Sequence, residues 1–375
     1  MSPRRPCPLP PLPVQLPLLI PLLLPAAAAL DQLIGDPRAL PHPVQLMGAC
    51  ISRLRGLAEA WAGDRPWRLR LAGLAITAVL VLASAAAGWS LERLALARPL
   101  VGGPLLLLGL ASALAGRSLE QAVRAVLQAL PGPGGNPSIA PADPAGGSTD
   151  PADPLEPARE RLRWIVGRSV DGLPESELLR AAAETAAENA VDGLFAPLFW
   201  MGVGASLLAA QPQTVAIPGP LCLAWVFKAA STLDSMLGYR HGRLRWLGTA
   251  GARLDDLLVW IPCRLVALSL PIAAGQLRHT GHHWRAALAD GAADPSPNAG
   301  VSQAAFAHAA GVRLGGRNRY GEEWRQKPIL AAQAPPADTA AVERILTFSR
   351  RLEAVWLAIS VAVVAAASAL GAGTQ

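Results

Sequence analysis

The sequence has 375 residues, of which 52% are hydrophobic and only 16% are charged. An average soluble domain carries about a quarter charged residues, so this composition indicates a membrane protein. The net charge is +6, but the arginines flank apolar stretches and no nucleic-acid-binding motif accompanies them, which argues against a nucleic-acid partner. The four cysteines are scattered without metal-ligand or paired spacing, so they support neither a zinc site nor a disulfide framework.

The chain opens on an uncharged stretch, residues 6–30, that follows two arginines. One interpretation is a cleaved signal peptide whose cleavage region is the alanine run 26–29. The stretch is long for a signal peptide and is broken by Pro17, Pro21 and Pro25, which favours a first membrane helix with a frayed start.

A polar loop, residues 31–70, comes next. Three later segments, 71–91, 99–116 and 354–375, are uncharged and approach the roughly 20 residues that a helix needs to cross a bilayer. The first two predict a transmembrane hairpin. Residues 131–157 are dominated by Pro, Gly, Ala and Asp, a composition that predicts a disordered insertion.

Two further apolar regions contain prolines. Residues 193–227 are uncharged but divided by prolines, which predicts a hairpin of two short helices. Residues 257–277 are apolar apart from one arginine and contain Pro262 and Pro271, which predicts a broken segment. The predicted fold is therefore a single all-α domain over residues 1–375, a polytopic helical membrane protein with short or re-entrant helices and polar cytoplasmic loops.

The first candidate site is a row of carboxylates. Glu184, Glu188 and Asp192 follow one another at four-residue intervals, so they lie along one helix face about 6 Å apart. Like charges at this spacing repel, and the surrounding alanines indicate partial burial, so a cation is expected against them. A magnesium ion that carries nucleotide phosphates is one interpretation. The alternative is a surface helix paired with arginines such as Arg180.

The second candidate is Lys228, one of only two lysines, which ends an apolar stretch. Lys228, Thr232 and Ser235 share a helix face, and a point charge with two hydroxyls could hold a phosphate. The alternative is a lysine that extends to the membrane interface. Asp234 lies on a different face, either as part of a second ligand set or as a cap for the turn at Gly238.

The third candidate is the acidic pair Asp255 and Asp256, with Arg253 before it. Adjacent carboxylates on a helix point about 100° apart, so they need not bind one metal together. One could accept from Arg253 while the other faces the site. Stabilisation of the positive end of a helix dipole is the alternative.

Two loops complete the candidates. Residues 294–300 form a turn-rich string that can present Ser296 and Asn298 as hydrogen-bonding groups. His42 lies between two prolines, near Asp36, in another rigid polar loop. The chain contains no phosphate-binding Gly-x-x-x-x-Gly-Lys-Ser/Thr loop, His-Glu-x-x-His or Gly-x-Ser-x-Gly motif, which argues against an ordinary ATPase or protease.

Together these strings resemble the CobD/CbiB family of cobinamide-phosphate synthases. The matching strings, in chain order, are DQLIGDP (31–37), PHPV (41–44), ENAVDG (188–193), APLFW (196–200), KAASTLDSMLGY (228–239), ARLDD (252–256), WIP (260–262) and SPNAG (296–300). Their order covers most of the chain outside the predicted insertion.

The resemblance implies an enzyme of cobalamin biosynthesis that uses ATP to join (R)-1-amino-2-propanol, or its O-phosphate, to a propionate of adenosylcobyric acid. The product would be adenosylcobinamide or its phosphate. A carboxylate is a poor electrophile until it is phosphorylated, so we hypothesise that acidic residues hold Mg²⁺ and activate the amine while basic residues neutralise phosphates.

The expected site has three sets of residues. The expected catalytic residues are Glu184, Glu188, Asn189, Asp192, Asp234, Asp255 and Asp256, of which Glu188, Asp192 and Asp256 are the expected metal ligands. The expected substrate- and phosphate-binding residues are Lys228, Thr232, Ser235, Tyr239, Arg253, Ser296, Asn298, His42 and Asp36. If they share one site, a single crossing by residues 257–277 would strand Asn298 on the opposite face, so that segment is expected to re-enter or to lie along the interface.

The expected location is the bacterial inner membrane, with the active-site loops in the cytoplasm. The expected partners are the corrinoid and amine substrates, the lipid bilayer and other corrinoid-pathway enzymes, with no nucleic acid. Two rivals share the same sequence features. A transporter would also have broken helices and intramembrane charges, and a non-catalytic scaffold for corrinoid enzymes would not need its carboxylates.

Overall fold

The computed structural model describes residues 20–35, 42–131, 153–211 and 217–373, and it is 76% helical. Asp36 and most of the predicted insertion lie outside the described residues. The helices and strands, in chain order, are α1 (Leu23–Ile34), α2 (Pro43–Ala62), α3 (Pro66–Ala97), α4 (Pro99–Ala111), α5 (Gly116–Gln128), α6 (Glu156–Arg163), α7 (Glu175–Ala190), α8 (Ala196–Ala210), α9 (Pro220–Leu237), α10 (Leu244–Leu247), α11 (Thr249–Ala273), α12 (Thr280–Gly291), α13 (Ala299–Ala310), β1 (Leu314–Tyr320), β2 (Glu323–Leu330) and α14 (Thr339–Gly373).

Five helical stretches are long and apolar enough to cross a membrane: Pro66–Ala97, Pro99–Gln128, Glu175–Ala210, Thr249–Ala273 and Thr339–Gly371. They confirm the predicted polytopic helical fold, and three of them contain the three spans expected from charge-free length. The other two, Glu175–Ala210 and Thr249–Ala273, were not predicted as single spans because prolines and acidic residues interrupt their apolar sequence. Beside the helices, β1 and β2 form a small antiparallel hairpin that was not predicted.

The described part of the chain before α2 is a helix shorter than a membrane span. A 3₁₀ turn, Ile20–Leu22, leads into α1, and the two together make only a short apolar helix. Leu24, Ala27 and Asp31 on α1 are buried. Residues 1–19 lie outside the described part, so the choice between signal peptide and membrane helix stays a prediction.

The predicted proline-divided hairpin of residues 193–227 is confirmed, since α8 and α9 are separate helices. The entry to α8 is a single wide π turn, Val191–Phe195, in which the Ala196 N–H donates to the Val191 carbonyl five residues back. Pro197 explains this turn, because it has no N–H for the Gly193 carbonyl. That carbonyl instead accepts from the Ala115 N–H at 2.9 Å.

The predicted break in residues 257–277 is wrong, because α11 continues through both of its prolines. Pro262 leaves the Leu258 carbonyl without its helical donor. The indole Nε1–H of Trp200 on α8 donates to this oxygen at 3.1 Å. A side chain from a neighbouring helix thus replaces the missing hydrogen bond and keeps α11 intact.

The start of α9 is fixed by a buried glutamate on α3. The carboxylate of Glu92 accepts from the N–H groups of Gly219, Leu221 and Cys222 at 2.7–2.9 Å. These are donors that a helix N-terminus leaves unsatisfied. α9 packs against both α3 and α11, and Asp234 lies near its C-terminal end.

Candidate functional site

Five carboxylates from three segments meet near the π turn. The charge of Asp192 acts on those of Glu188, Asp234 and Asp255, and the charge of Asp234 also acts on that of Asp256. We call these five residues the acidic cluster. Their convergence follows from the contacts that α11 makes with α9 and with the π turn.

Four basic side chains act on the acidic cluster: three come from α9, α11 and the loop between α9 and α10, and the fourth, Lys327 on β2, acts on Glu188. Lys228 is half-buried and acts on Asp192 and Asp255. Arg240 and Arg253 are exposed and act on Asp256 from the solvent side. Solvent screens these two arginines, so buried negative charge exceeds buried positive charge in the cluster.

Asp234 shows how crowded these carboxylates are. Burial and, to a smaller extent, the charges of Asp256 and Glu188 raise the pKa of Asp234 to about 6, although Arg240 acts in the opposite direction. Gly238 allows this carboxylate its position, because a Cβ at residue 238 would overlap it. One oxygen of Asp255 is also buried without a hydrogen-bond partner among the described residues.

Glu184 lies two turns away on α7 in a different environment. Its carboxylate accepts from Arg168 at 2.6 Å, from Arg180 at 2.8 Å and from the Gly315 N–H at 2.8 Å. This matches the arginine-paired alternative, except that Glu184 is only 4% exposed and so does not belong to a surface helix. Two arginines already balance the charge of Glu184, which separates it from the acidic cluster.

A family model described as "CobD/Cbib protein" matches residues 24–349 of this chain. The chain belongs to the CobD/CbiB family. The cobalamin biosynthesis protein CobD of Synechocystis sp. is 35% identical over 92% of this chain and 91% of its own length. Its Geobacter metallireducens counterpart is 37% identical, covering 84% and 87% of the two chains. The cobalamin biosynthesis protein CbiB of Salmonella typhimurium is 34% identical over 90% and 93%. No solved structure matches the chain.

In this CobD/CbiB chain, the hydroxyls expected to hold phosphate beside Lys228 bond to their own helix. Thr232 donates to the Lys228 carbonyl at 2.6 Å, and Ser235 donates to the Thr232 carbonyl at 3.0 Å. Thr232 is buried, whereas Tyr239 is half-exposed beside His241. Lys228 is therefore the residue of this segment whose charge acts on the acidic cluster. The expected phosphate-binding roles of Thr232, Ser235 and Tyr239 stay predictions.

In this CobD/CbiB protein, the loop before α13 lies against the acidic cluster. The side-chain amide of Asn298 donates to the Asp256 carbonyl at 2.8 Å, and its oxygen accepts from Arg264 at 2.5 Å. Arg264 also bonds the Pro297 carbonyl, so the lone arginine of residues 257–277 faces protein, as expected for an arginine in an apolar segment. Asn298 shares the site although α11 is unbroken.

The remaining predicted residues have local roles or exposed positions in the family fold. The Ser296 hydroxyl accepts from the Asn298 and Ala299 N–H groups at the start of α13. His42 caps α2 by accepting from the Val44 N–H at 3.3 Å. Asn189 is exposed next to Glu188.

Sequence reasoning missed the polar residues that surround Glu188. Gln303 donates to the Glu188 carboxylate at 2.6 Å, and the ammonium group of Lys327 on β2 acts on the same carboxylate. Lys327 is also 3.3 Å from Asp294. Its rarity was a usable signal, since Lys327 is the second of only two lysines in an arginine-rich chain.

Proposed function

We propose that this CobD/CbiB-family protein is an ATP-dependent acid–amine ligase of cobalamin biosynthesis. In this proposal it joins (R)-1-amino-2-propanol or its O-phosphate to a propionate of adenosylcobyric acid and gives adenosylcobinamide or its phosphate. The observation that carries the proposal is the acidic cluster with Lys228, which collects excess negative charge and one inward lysine at a single place. The names of the curated relatives support the pathway.

The chemistry requires an activated carboxyl group. ATP donates its γ-phosphoryl group to the propionate oxygen, which gives an acyl phosphate and ADP. The amine nitrogen then attacks the acyl carbon, the C–N bond forms, the C–O bond to phosphate breaks and inorganic phosphate leaves. Glu188 accepts the proton that the attacking nitrogen loses, and Lys228 offsets the charge of the transferred phosphoryl group.

The acidic cluster has the donor type that magnesium prefers. Mg²⁺ binds oxygen ligands and usually takes one or two carboxylates together with phosphate oxygens and waters. The unpaired buried oxygen of Asp255 fits that donor set, with Asp192 and Asp256 beside it. Within the described residues no group of three acidic, histidine or cysteine side chains is placed to hold a metal ion by itself. When bound, Mg²⁺ neutralises phosphate charge.

We place the protein in the bacterial inner membrane with the acidic cluster at the cytoplasmic rim. The supporting observation is that the exposed residues near the cluster, Tyr239, Arg240 and Arg253, include two arginines, as the positive-inside rule expects. A Tyr239→Cys variant in a cysteine-free background should react with an impermeant thiol reagent only from the cytoplasmic side. Labelling only from the periplasmic side would overturn this placement.

The ligase proposal is tested with purified protein in lipid, adenosylcobyric acid, ATP and aminopropanol or its phosphate. The wild type should form the amide and one ADP per amide, while Asp192→Asn and Lys228→Ala should lose most of this activity. The matched control is Asp171→Asn, which removes an exposed carboxylate paired with Arg163 outside the cluster. Amide formation without ATP, substrate flux without amide formation, or full function of the cluster variants would contradict the proposal and favour a transporter or scaffold.

A further inference from the structure

Helix α11 has one apolar face that stays exposed in the described part of the protein. Its members recur every three or four residues, so they lie on one side of the helix. Their exposed fractions range from 39% at Leu265 to 70% at Leu257. The face consists of Leu257, Trp260, Ile261, Leu265, Leu268 and Ile272. An exposed apolar surface of this length indicates a partner, and the kind of partner depends on how α11 lies relative to the membrane.

The direction of the membrane spans is given by α8 and α14, which run side by side in the same direction. The pairs in contact, from the start of the two spans to their far end, are Phe195 with Trp356, Gly202 with Ser360, and Ala210 with Gly371. Equal distances along the two helices therefore correspond to equal depths in the bilayer. The charge-free part of α14, residues 354–371, begins level with the π turn.

α11 is attached to the start of both spans. Trp200 on α8 donates to the Leu258 carbonyl at 3.1 Å, and Trp356 on α14 donates to the Ser269 hydroxyl at 3.0 Å. Leu258 and Ser269 are about 16 Å apart along α11. Trp200 and Trp356 differ by only about 8 Å along the spans, because Trp356 lies level with Phe195. α11 therefore runs across the two spans near their start, and not alongside them.

Polar segments accompany α11 along its buried side. Asn298 at the start of α13 donates to the Asp256 carbonyl at 2.8 Å, and the side chain of Gln276 donates to the Ala309 carbonyl near the end of α13 at 3.1 Å. α13 thus runs parallel to α11 for most of its length. α12 packs against both helices and carries two histidines, an arginine and an aspartate. A crossing of the bilayer by α11 would draw these polar side chains to membrane depth, where they are costly.

The β hairpin that follows α13 lies on the same side of the spans as the acidic cluster. Arg180 on α7 donates to the Gly315 carbonyl at 2.9 Å, and the Gly315 N–H donates to Glu184. Glu184 precedes Asp192 by two turns, in the polar half of the α7–α8 stretch. The start of α11 and the hairpin that ends this unit are therefore on one side of the membrane.

We propose that α11 is a membrane-surface helix whose apolar face lies in lipid on the side of the acidic cluster, so that α11 does not cross the bilayer. A helix in this position buries its apolar face at the boundary between headgroups and acyl chains. Trp260 fits that boundary, where tryptophan is enriched, and its ring lies 4.8 Å from the Arg264 guanidinium. Lipid is the partner because the face lies beside the start of two apolar spans. The placement is independent of the ligase chemistry.

The depth of α11 is tested with nitroxide labels on the cysteine-free protein in vesicles of phosphatidylethanolamine and phosphatidylglycerol. The labelled variants are Leu257→Cys and Leu268→Cys, and depth is measured from the exposure of each label to oxygen and to a water-soluble nickel complex. The matched control is Leu71→Cys with Leu82→Cys, which has the same spacing and two exposed leucines on the spanning helix α3.

The two control labels should differ in depth by about 16 Å, and the two α11 labels by at most about half of this. Equal differences for the two pairs would show that α11 crosses the bilayer. Labels on α11 that neither reagent reaches would show that a protein covers this face in place of lipid. Either result would overturn the proposal.

A second experiment does not depend on substitutions within α11. Gly281→Cys lies just after α11, where an added side chain meets open space, and Tyr239→Cys lies before it. An impermeant thiol reagent should label both from the same side of the membrane. The control Arg98→Cys, at the far end of α3, should react only from the opposite side. Labelling of Gly281→Cys from the Arg98 side would refute the in-plane placement, whether or not the protein forms an amide.

Discussion

Two carboxylate sites on helix α7 and its continuation have opposite electrostatics. Glu184 is enclosed by two arginines and a backbone N–H, so its charge is balanced where it is buried. Two turns later, Asp192 faces Asp234 and Asp255, with Lys228 as the nearest inward cation. A balanced buried carboxylate stabilises the fold, whereas a buried excess of carboxylates costs stability and is suited to a cation that arrives with a substrate.

The largest expected effect comes from the excess of buried carboxylates in the acidic cluster. Asp255→Asn should lower ligase activity roughly 10³-fold, because it removes an oxygen whose charge offsets the metal and phosphate groups. The same change should raise the thermal unfolding temperature in detergent, since it relieves repulsion with Asp234 and Asp256. Both are measured on one preparation, by product formation and by intrinsic tryptophan fluorescence. A lower unfolding temperature would show that Asp255 is paired and not in excess.

Removing the charge of the balanced carboxylate, Glu184, should lower the stability of the fold, whereas Asp255→Asn should raise it. Glu184→Gln leaves Arg168 and Arg180 buried without a full counter-charge, which costs about 3 kcal/mol of folding free energy. The unfolding temperature in detergent should fall clearly. The control is Glu177→Gln, whose partner is also Arg180 but whose side chain is 37% exposed, so its effect should be much smaller. Equal shifts for both variants would remove the distinction between the two sites.

The pH dependence of stability sharpens the comparison at Asp234. The pKa of Asp234 is raised from 3.8 to about 6, so the folded protein holds this proton more tightly than the unfolded chain does. The carboxylate therefore costs stability as pH rises from about 4 to about 6, and the cost is complete above that window. Asp234→Asn should raise stability at pH 8 by on the order of 2 kcal/mol and have a much smaller effect at pH 4. A gain that is equal at both pH values would contradict burial and repulsion of this carboxylate as its cause.

The smallest expected effect is at Ser296, whose hydroxyl accepts from two N–H groups at the start of α13. Ser296→Ala should cost about 1 kcal/mol of stability, the usual value for a lost hydrogen bond. Its KM values should stay near those of the wild type if the residue only satisfies these N–H groups. A selective rise in the KM for ATP or for the corrinoid would instead support the substrate-binding role predicted from the sequence.

Local patterns in the sequence predicted much of the fold. Charge-free length identified α3, α4 and α14 as spans, and the prolines of residues 193–227 correctly separated α8 from α9. The family, and with it cobalamin biosynthesis, is confirmed by the family match and the curated relatives. These successes depend on signals contained within a single segment.

The errors came from hydrogen bonds between distant segments. Pro262 predicted a break, but the Trp200 indole supplies the missing donor, and no pattern within α11 contains that information. The hairpin was missed because β1 is rich in Gly and Arg, which weakens the alternating pattern of a strand. With the hairpin, the position of Lys327 near Glu188 was missed as well.

The candidate site was only partly predictable for the same reason. Four-residue spacing grouped Glu184 with Glu188 and Asp192, yet the arginine pairs assign Glu184 to a separate environment. Asp234, Asp255 and Asp256 were joined to the group through motifs, and their charges do act on one another. Spacing gives the face of a helix, but the partner on that face depends on tertiary packing.

The π turn at Val191–Phe195 makes the register of a 36-residue helical stretch adjustable by a single residue. A wide turn of this kind is equivalent to one inserted residue, and each residue of an α-helix rotates the following side chains by about 100°. Deleting one residue from this turn would rotate Asp192 relative to α8, although Pro197 would still leave one carbonyl of the turn without its helical donor. A single deletion would therefore leave this helical stretch in the bilayer but move Asp192 away from the other carboxylates of the acidic cluster.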